Sequence, residues 1–404
     1  MTVDETPPPG SAVSGSGNGR AEQGGIANTG VINGGVNSVH VHHHYPSREG
    51  PPRPHRPLSR RQLIRAAAGM GLGVSAAAAA WWYGTSRDRA GTHSYQSAGR
   101  QVSAGDDTIW SVALGMLRGE PLAVVGHAKG TIQLWNPVVG KARSGLLTGH
   151  HQEVYGLALH GDTAVSTSVD GTLRVWDLTS DPPRSATPAA PIGGGINGVA
   201  FGTVAGKVVA VSACHEGTVR VWDPANPRRV GQVLGTTLGA PVTCIATGTA
   251  GGRVIAVTGS RNGVVRLWDV TGERLVRVLG EHTTTVWAVA VGVVNGTPIA
   301  VSGSEDGAMR RWDLTAADSA GETLMELPKA IRTIAIGEVA GRAVAVSGCD
   351  DSGVRLWDLA AGVPYGPGLT GPEHAAEALA ISNLAGRPTV VSGHYDGTVW
   401  TWAL

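Results

Sequence analysis

From residue 97 onward, seven tryptophans divide the chain into near-equal lengths. Trp135, Trp176, Trp222, Trp268, Trp312, Trp357 and Trp402 lie 41, 46, 46, 44, 45 and 45 residues apart. Asp follows five of them, Asn follows Trp135 and Ala follows Trp402. Each interval reads as V-x-x-V-A, then V-A-V-S-G-S, then D-G-T-V-R-V-W-D, with glycine turns between. The pattern is clearest at residues 165–178 (VSTSVDGTLRVWDL) and 301–314 (VSGSEDGAMRRWDL). A period of this length with four short strand patterns per unit describes blades set around an axis. A blade buries both faces, so its inner strands are runs of Val, Ile, Ala and Ser rather than alternations. The Asp-Gly before the third strand supplies the positive φ of a tight hairpin turn. The expected fold is all-β, a seven-bladed β-propeller over residues 97–404.

Such a ring needs closing. The chain stops two residues after Trp402, inside the third strand of the last blade, so that blade lacks an outermost strand. Residues 97–104 (SAGRQVSA) stand where an outer strand would precede the first repeat, and the expectation is that they pair beside the seventh blade. Composition agrees with one large repetitive domain: glycine is 60 of 404 residues and charged residues are 16 %, which excludes a helical bundle or coiled coil. The three cysteines, Cys214, Cys244 and Cys349, have no paired short spacing and sit in apolar runs. They read as buried thiols, not as a disulfide or zinc framework.

The seven in-register copies resemble the WD-repeat family over about 300 residues. Ten residues before the Trp stands a Ser or Thr, and six before it an acid. The resemblance implies that a loop His, this Ser, the acid and the indole form one buried hydrogen-bond chain, which fixes a single packing arrangement. His150, Ser166, Asp170 and Trp176 match it, as do His282, Ser302, Asp306 and Trp312. His374, Ser392, Asp396 and Trp402 match with a two-residue offset at the His. The first blade departs with Val125 and Lys129, the third with Glu216 and the fourth with Asn262. The sixth keeps Ser347 and Asp351 without the His. These sets are fold elements, not hydrolase triads.

In propellers resembling this one, ligands dock on the face carrying the loops before the first strand and between the second and third. The residue after the first Val of V-x-x-V-A points to that mouth: Trp110, Tyr155, Asn197, Thr243, Trp287, Arg332 and Glu377. So does the residue before the turn acid: Ala128, Val169, His215, Arg261, Glu305, Asp350 and Tyr395. Two Trp and two Tyr beside Arg have the composition of a protein-binding hot spot. The expected partner-binding residues are therefore Trp110, Tyr155, Trp287, Arg332, Glu377, His215, Arg261 and Tyr395. The alternative is that Trp110 and Trp287 pack structurally. Opposing acidic and basic sectors favour a protein or peptide of mixed charge.

The preceding segments face other demands. Residues 1–100 carry a net charge of +5 and residues 101–404 a net of −4. Residues 1–58 read as a disordered Gly/Pro/His-rich tail. Within it, residues 24–45 resemble small Gly/Asn-rich segments found ahead of signalling or conflict-system modules in high-GC bacteria. His40, His42, His43 and His44 could share a divalent transition metal, or belong to a solvated polar tract. Residues 59–86 combine Ser-Arg-Arg-x-Leu-Ile-Arg, which resembles a twin-arginine export signal, with 21 uncharged residues from 66 to 86. As one apolar helix these span roughly 31 Å, enough for a bilayer core. Six Arg lie in the 20 residues upstream against three downstream, which keeps the N-terminus inside and puts the C-terminal part outside. Residues 87–96 are a polar linker. The expected location is a bacterial cell membrane, single-pass, with the propeller extracellular; cleavage near Ala78-Ala79-Ala80 and a cytoplasmic Ala-rich helix are the alternatives.

No nucleophile elbow, P-loop or HExxH is present, and no cofactor is expected. A net charge of +1 excludes a simple electrostatic nucleic-acid binder. The sequence therefore points to a non-catalytic WD-repeat scaffold for protein or peptide partners. A signalling or conflict-system module recruited through the tail is the alternative, and an enzymatic propeller the weakest reading.

Overall fold

The structure, a computed structural model, describes residues 99–103, 107–186, 191–237, 239–317 and 321–404. The tail, its histidines, the apolar helix and the linker expected before residue 97 all lie outside the described residues. Among those described, no helix is long and apolar enough to cross a membrane.

The described strands form seven four-stranded antiparallel sheets, each built from consecutive strands except the last. The inner strands of blades one to seven are Ile109–Leu117, Val154–His160, Ile196–Val204, Val242–Ala250, Val286–Val294, Ile331–Val339 and Ala376–Leu384. Along most of their length both faces are buried. That explains the unbroken apolar runs in the sequence. The apolar clusters straddle neighbouring blades. Leu122 and Val124 of blade one pack with Val154 and Leu157 of blade two. Ile109 and Val125 of blade one pack with Ala378 and Val391 of blade seven, which completes the ring.

Each repeat tryptophan sits on the third strand of its blade. In blades one to six it lies opposite an alanine of the second strand, from Trp135↔Ala123 to Trp357↔Ala345. A small residue there leaves room for the indole. Two residues further along the second strand, a hydroxyl accepts the indole N–H at 2.8 Å in blades two to six: Ser166, Ser212, Thr258, Ser302 and Ser347. In blade one, where Val125 holds that place, Trp135 Nε1 donates instead to Gln133 Oε1 at 2.9 Å.

The full chain of bonds is present in blade two. His150 Nε2 meets Ser166 Oγ at 2.7 Å, and its Nδ1 meets Asp170 Oδ2 at 3.2 Å and Thr172 Oγ1 at 2.9 Å. In blade five His282 Nε2 meets Ser302 Oγ at 2.7 Å, but its Nδ1 is 3.6 Å from Asp306, beyond hydrogen-bond reach. Asp306 turns instead to Thr283 and to the Ala308 amide. In blades three and six, which lack the loop His, an arginine on the third strand holds the acid: Arg220 on Glu216 at 2.8 Å and Arg355 on Asp351 at 2.7 Å. Blade four, with Asn262, places Arg266 on Ser260 at 3.1 Å. These blades depart from the His–Ser–acid pattern, so apolar packing is expected to hold them more than the hydrogen-bond network does; the indole–hydroxyl bond and an arginine support them as well.

Blade seven requires a correction. His374 is half exposed and stands 3.8 Å from Asp396, away from Ser392. The imidazole on Ser392 belongs to His394, which is fully buried and whose Nδ1 reaches the His374 carbonyl at 2.9 Å. Trp402 faces Val390 instead of an alanine and sends its indole N–H to the Thr370 carbonyl at 3.1 Å.

Closure of the ring accounts for the indole's new partner. The strand Arg100–Ser103 pairs antiparallel with Val399–Ala403, as residues 97–104 were expected to. Just before it, the Gly99 amide donates to the same Thr370 carbonyl at 2.7 Å. Arg100 then reaches into blade one, donating to the Val139 carbonyl at 2.9 Å. Gly99 lies so close to the indole that a Cβ there would stand 2.4 Å from Trp402 Nε1.

Two expected outcomes follow from these contacts. Gly99→Val should cost about 1–3 kcal/mol in chemical denaturation, the scale of overpacking a tight site, while Gly145→Val, with open space around its Cβ, should not. Equal stability of the two variants would separate Gly99 from closure. The second concerns pH. Burial lowers the pKa of His150 and His394, and pushes His282 down to about 4 against the pull of Asp306. A histidine held neutral in the fold but free to charge once unfolded gives stability that is complete above pH ~6.5 and is lost as pH falls towards the folded value. Each such residue contributes a slope approaching about 1.4 kcal/mol per pH unit in that window. Urea unfolding at pH 7 and pH 5 should show the loss, and a flat profile would mean that these imidazoles are already charged when folded.

Candidate interaction face

Every inner strand breaks its register at the second residue. The shift falls between Ile109 and Ser111, Val154 and Gly156, Ile196 and Gly198, and Val242 and Cys244 in blades one to four. In blades five to seven it falls between Val286 and Ala288, Ile331 and Thr333, and Ala376 and Ala378. The residue skipped is Trp110, Tyr155, Asn197, Thr243, Trp287, Arg332 and Glu377 in turn. These are the seven positions singled out from the sequence, and each is the extra residue of a β-bulge, a device that re-aims a side chain.

A second regularity brings the other seven positions alongside. In each blade the amide of the residue before the turn acid donates to the carbonyl two residues ahead of the bulged one. The bonds are Ala128 to Thr108, Val169 to Glu153, His215 to Gly195, Arg261 to Pro241, Glu305 to Thr285, Asp350 to Ala330 and Tyr395 to Ala375, at 2.9–3.2 Å. Both sets therefore occupy one end of the ring.

They are not equally accessible. Trp110, Tyr155 and Trp287 are only 7 %, 4 % and 8 % exposed and form one cluster, with Ala128 and Val169 packed against it. Trp110 and Tyr155 meet edge to face at 5.6 Å. Trp287 comes from blade five and meets the aromatic residues of blades one and two, so the three make a floor rather than an open aromatic surface. The guanidinium of Arg332 lies 5.5 Å from the Trp287 ring centroid and also forms a two-pronged ion pair with Asp350. Burial, with the charges of Glu153 and Glu377, raises the Tyr155 hydroxyl well above its ordinary range, so it stays protonated. Burial and Arg261 lower His215.

Other bulged side chains join blades. Asn197 donates to the Val242 carbonyl at 2.7 Å, and Thr243 to the Val286 carbonyl. Ser111, next to the bulge of blade one, does the same to Val154 at 2.8 Å. Tyr395 is the most open aromatic residue of the mouth at 48 % exposure, and its carbonyl accepts a bond from Thr108 across the closing junction. Arg261, Glu305 and Asp350 are exposed as well. The Arg332–Asp350 pair and the Thr108–Tyr395 link were not expected from the sequence, since each joins segments far apart in it.

Residues 142–177, 231–269 and 273–313 each match the WD domain, G-beta repeat family. These three segments are similar to WD40 repeats. The matched segments end at the Trp-Asp of blades two, four and five. No curated protein matches the chain. Among solved structures, the computationally designed Ika8 protein, in its crystal packing No.1 in P63, is similar with a TM-score of 0.52. It is 22 % identical, and the match covers 77 % of this chain and all of that one. The likeness concerns the fold. No group of His, Cys, Asp and Glu among the described residues is arranged to hold a metal ion. The three cysteines of the blades are buried free thiols, with Cys244 and Cys349 pushed up to about 12 by burial.

Truncating the floor is expected to act on the fold. Trp287→Ala should lower stability by about 3–5 kcal/mol, the cost of deleting a buried aromatic side chain, whereas Tyr395→Ala should change it by less than about 1 kcal/mol. Urea titrations of the two variants check this, and a harmless Trp287→Ala would return that residue to the exposed surface.

Proposed function

We propose that this protein is a non-catalytic scaffold whose bulge-lined mouth binds a protein or peptide partner. The observation that carries this reading is the seven-fold coincidence of bulge and turn. Fourteen side chains are delivered to one end of a closed ring, some as a buried floor and others as an exposed rim. Trp110, Tyr155 and Trp287 supply a rigid apolar floor. Tyr395, Arg261, His215, Glu305 and the Arg332–Asp350 pair supply a rim of both charge signs, with Glu377 buried behind it. A rim mixed in this way suits a peptide of mixed charge better than a polyanion. WD40 propellers serve widely as such platforms, which supports the same conclusion.

The proposal includes a tether. Residues 66–86, flanked by the arginine asymmetry, carry the chain in a bacterial membrane as a single span with the propeller outside. The support for this is the sequence of residues 48–100, which lies outside the described residues apart from its last two.

Affinity capture from native membranes tests the reading. The full-length chain should retain a protein partner that Tyr395→Ala and Arg261→Glu release, with a loss on the order of 2 kcal/mol for the aromatic truncation. Protease added to intact cells should cut within residues 85–100. Retention of the same partner by both variants would move the contact away from the mouth, and cleavage only after lysis would remove the tether.

A further inference from the structure

At the end of the ring away from the mouth, one corner joins exposed apolar side chains to positive charge. It is the corner where the chain enters. Arg100 lies opposite Thr401 and Ser103 opposite Val399, so the closing strand starts at the far end and runs towards the mouth. Beside it, the turn of residues 136–141 in blade one presents two adjacent valines, Val138 and Val139, at 45 % and 50 % exposure. The Arg100 guanidinium donates to their carbonyls at 3.5 and 2.9 Å. Asn136 Oδ1 accepts their amides at 3.1 and 3.2 Å. The turn that displays the valines is thus fixed through both its carbonyls and its amides.

Three cations stand at this end of blades seven and one. Arg100, Lys141 and Arg387 are exposed, and none of them makes an ion pair among the described residues. For Arg387 the sequence supplies the reason. In blades four and six the residue that starts the second strand, Arg253 or Arg342, pairs with the Asp after the repeat Trp at 2.6 or 3.0 Å. Blade seven has Ala403 in that place. Of the other charges nearby, Glu120 meets Arg143 at 3.7 Å, and Arg118 leans to blade two, donating to the Thr179 carbonyl beside Asp177. The corner stays positive even with a main-chain carboxylate at Leu404 counted. The stretches on either side do not match it. Blade two carries Asp162, Asp177 and Asp181 against Arg184, and blade six Glu338 and Asp358 against Arg342. Blade three is the other basic stretch, with Lys207, Arg228 and Arg229 against Asp223 and an exposed Val230, but acidic blade two separates it from the corner.

Position gives this corner its partner. In the tethered reading above, on which this inference rests, the span ends at residue 86 and the twelve residues 87–98 join it to Gly99. A linker of that length reaches at most about 40 Å, and about 20 Å as a flexible chain. It keeps the far end of blades seven and one close to the bilayer, and a contact that is weak between free molecules becomes effective when a linker holds both sides together. We propose that this corner rests on an anionic lipid surface, with Val138 and Val139 in the headgroup layer and Arg100, Lys141 and Arg387 facing lipid phosphates. Apolar side chains supply burial there, and each cation gains from the negative surface potential. The ring then stands with its mouth turned away from the membrane and open to a partner.

Fluorescence quenching on the full-length chain in proteoliposomes tests this. The native cysteines are buried, so a label attached at Val139→Cys reports that turn, with Val230→Cys for blade three and Glu305→Cys for the mouth. In vesicles of phosphatidylcholine with phosphatidylglycerol, the label at 139 should be quenched from the lipid chains and shielded from aqueous acrylamide. Labels at 230 and 305 should show the reverse. In phosphatidylcholine alone, or with Lys141→Glu and Arg387→Glu combined, lipid contact at 139 should fall by about tenfold or more. A label at 139 as open to acrylamide as that at 305 in the anionic vesicles would overturn the proposal, as would deeper placement at 230 than at 139. Retention of the chain through a carbonate wash reports the span separately. If the span fails that wash, the labelled chain added to anionic vesicles must still show lipid contact at 139, and its absence there overturns the proposal as well.

Discussion

The carbonyl of Thr370 accepts two hydrogen bonds that hold the ring shut, one from the Gly99 amide and one from the Trp402 indole. The chain itself crosses every blade junction, but at the seventh the closing strand Arg100–Ser103 is held on blade seven by noncovalent contacts alone, and it must sit as tightly as the rest, because each blade buries both faces and an open ring would expose two of them. The last blade therefore abandons the arrangement of its siblings. Trp402 gives up the serine ten residues before it, Ser392 turns to His394, and residue 99 must be glycine to let the closing strand approach. The Arg100 side chain on the blade-one carbonyls then ties first and last blades together from outside.

With the ring closed, repetition does the remaining work. An alanine opposite each of the first six indoles fixes where the third strand can sit, and a hydroxyl two residues on fixes the indole itself. The turn between second and third strands is then anchored to the strand entry by an amide–carbonyl bond in every blade. That anchoring makes the bulged residue and the turn residue neighbours seven times over. The local device is simple, and its effect is collective: side chains from blades one, two and five come together only because the closed ring makes their strand ends converge on one axis.

Deviations from the repeat are equally informative. Where the loop histidine is missing, an arginine four residues beyond the acid, Arg220 or Arg355, satisfies that acid from the exposed edge. The imidazole solution is dry and pH-sensitive; the arginine solution is wetter and keeps its charge. Blade two deviates in another way, with a shortened hairpin and a histidine in a glycine position. Its hydrogen-bond chain is the most complete of the seven, so the mouth end of this blade is held firmly while its other end is cut back.

The repeat period, the turn residues before each third strand and the apolar strand runs by themselves determine the seven blades, because each feature is local and recurs around the ring. The closing strand was legible too, since residues 97–104 stand where an outer strand precedes the first repeat. The fourteen mouth positions could be named for the same reason, as register alone sets where they point. Their exposure could not. Trp110 and Trp287 look alike in sequence to any surface hot-spot residue, and only the distance across the channel decides that they meet and bury one another with Tyr155. His374 and His394 are both plausible partners for Ser392 by spacing; the closing strand, in drawing Trp402 towards Thr370, left Ser392 to His394. Phe201 against His160 is likewise a contact between blades, invisible to any pattern that runs along one chain segment. Local hydrogen bonding and burial periodicity wrote the architecture into the sequence, while contacts between blades, which depend on ring geometry, were decided only by the tertiary structure.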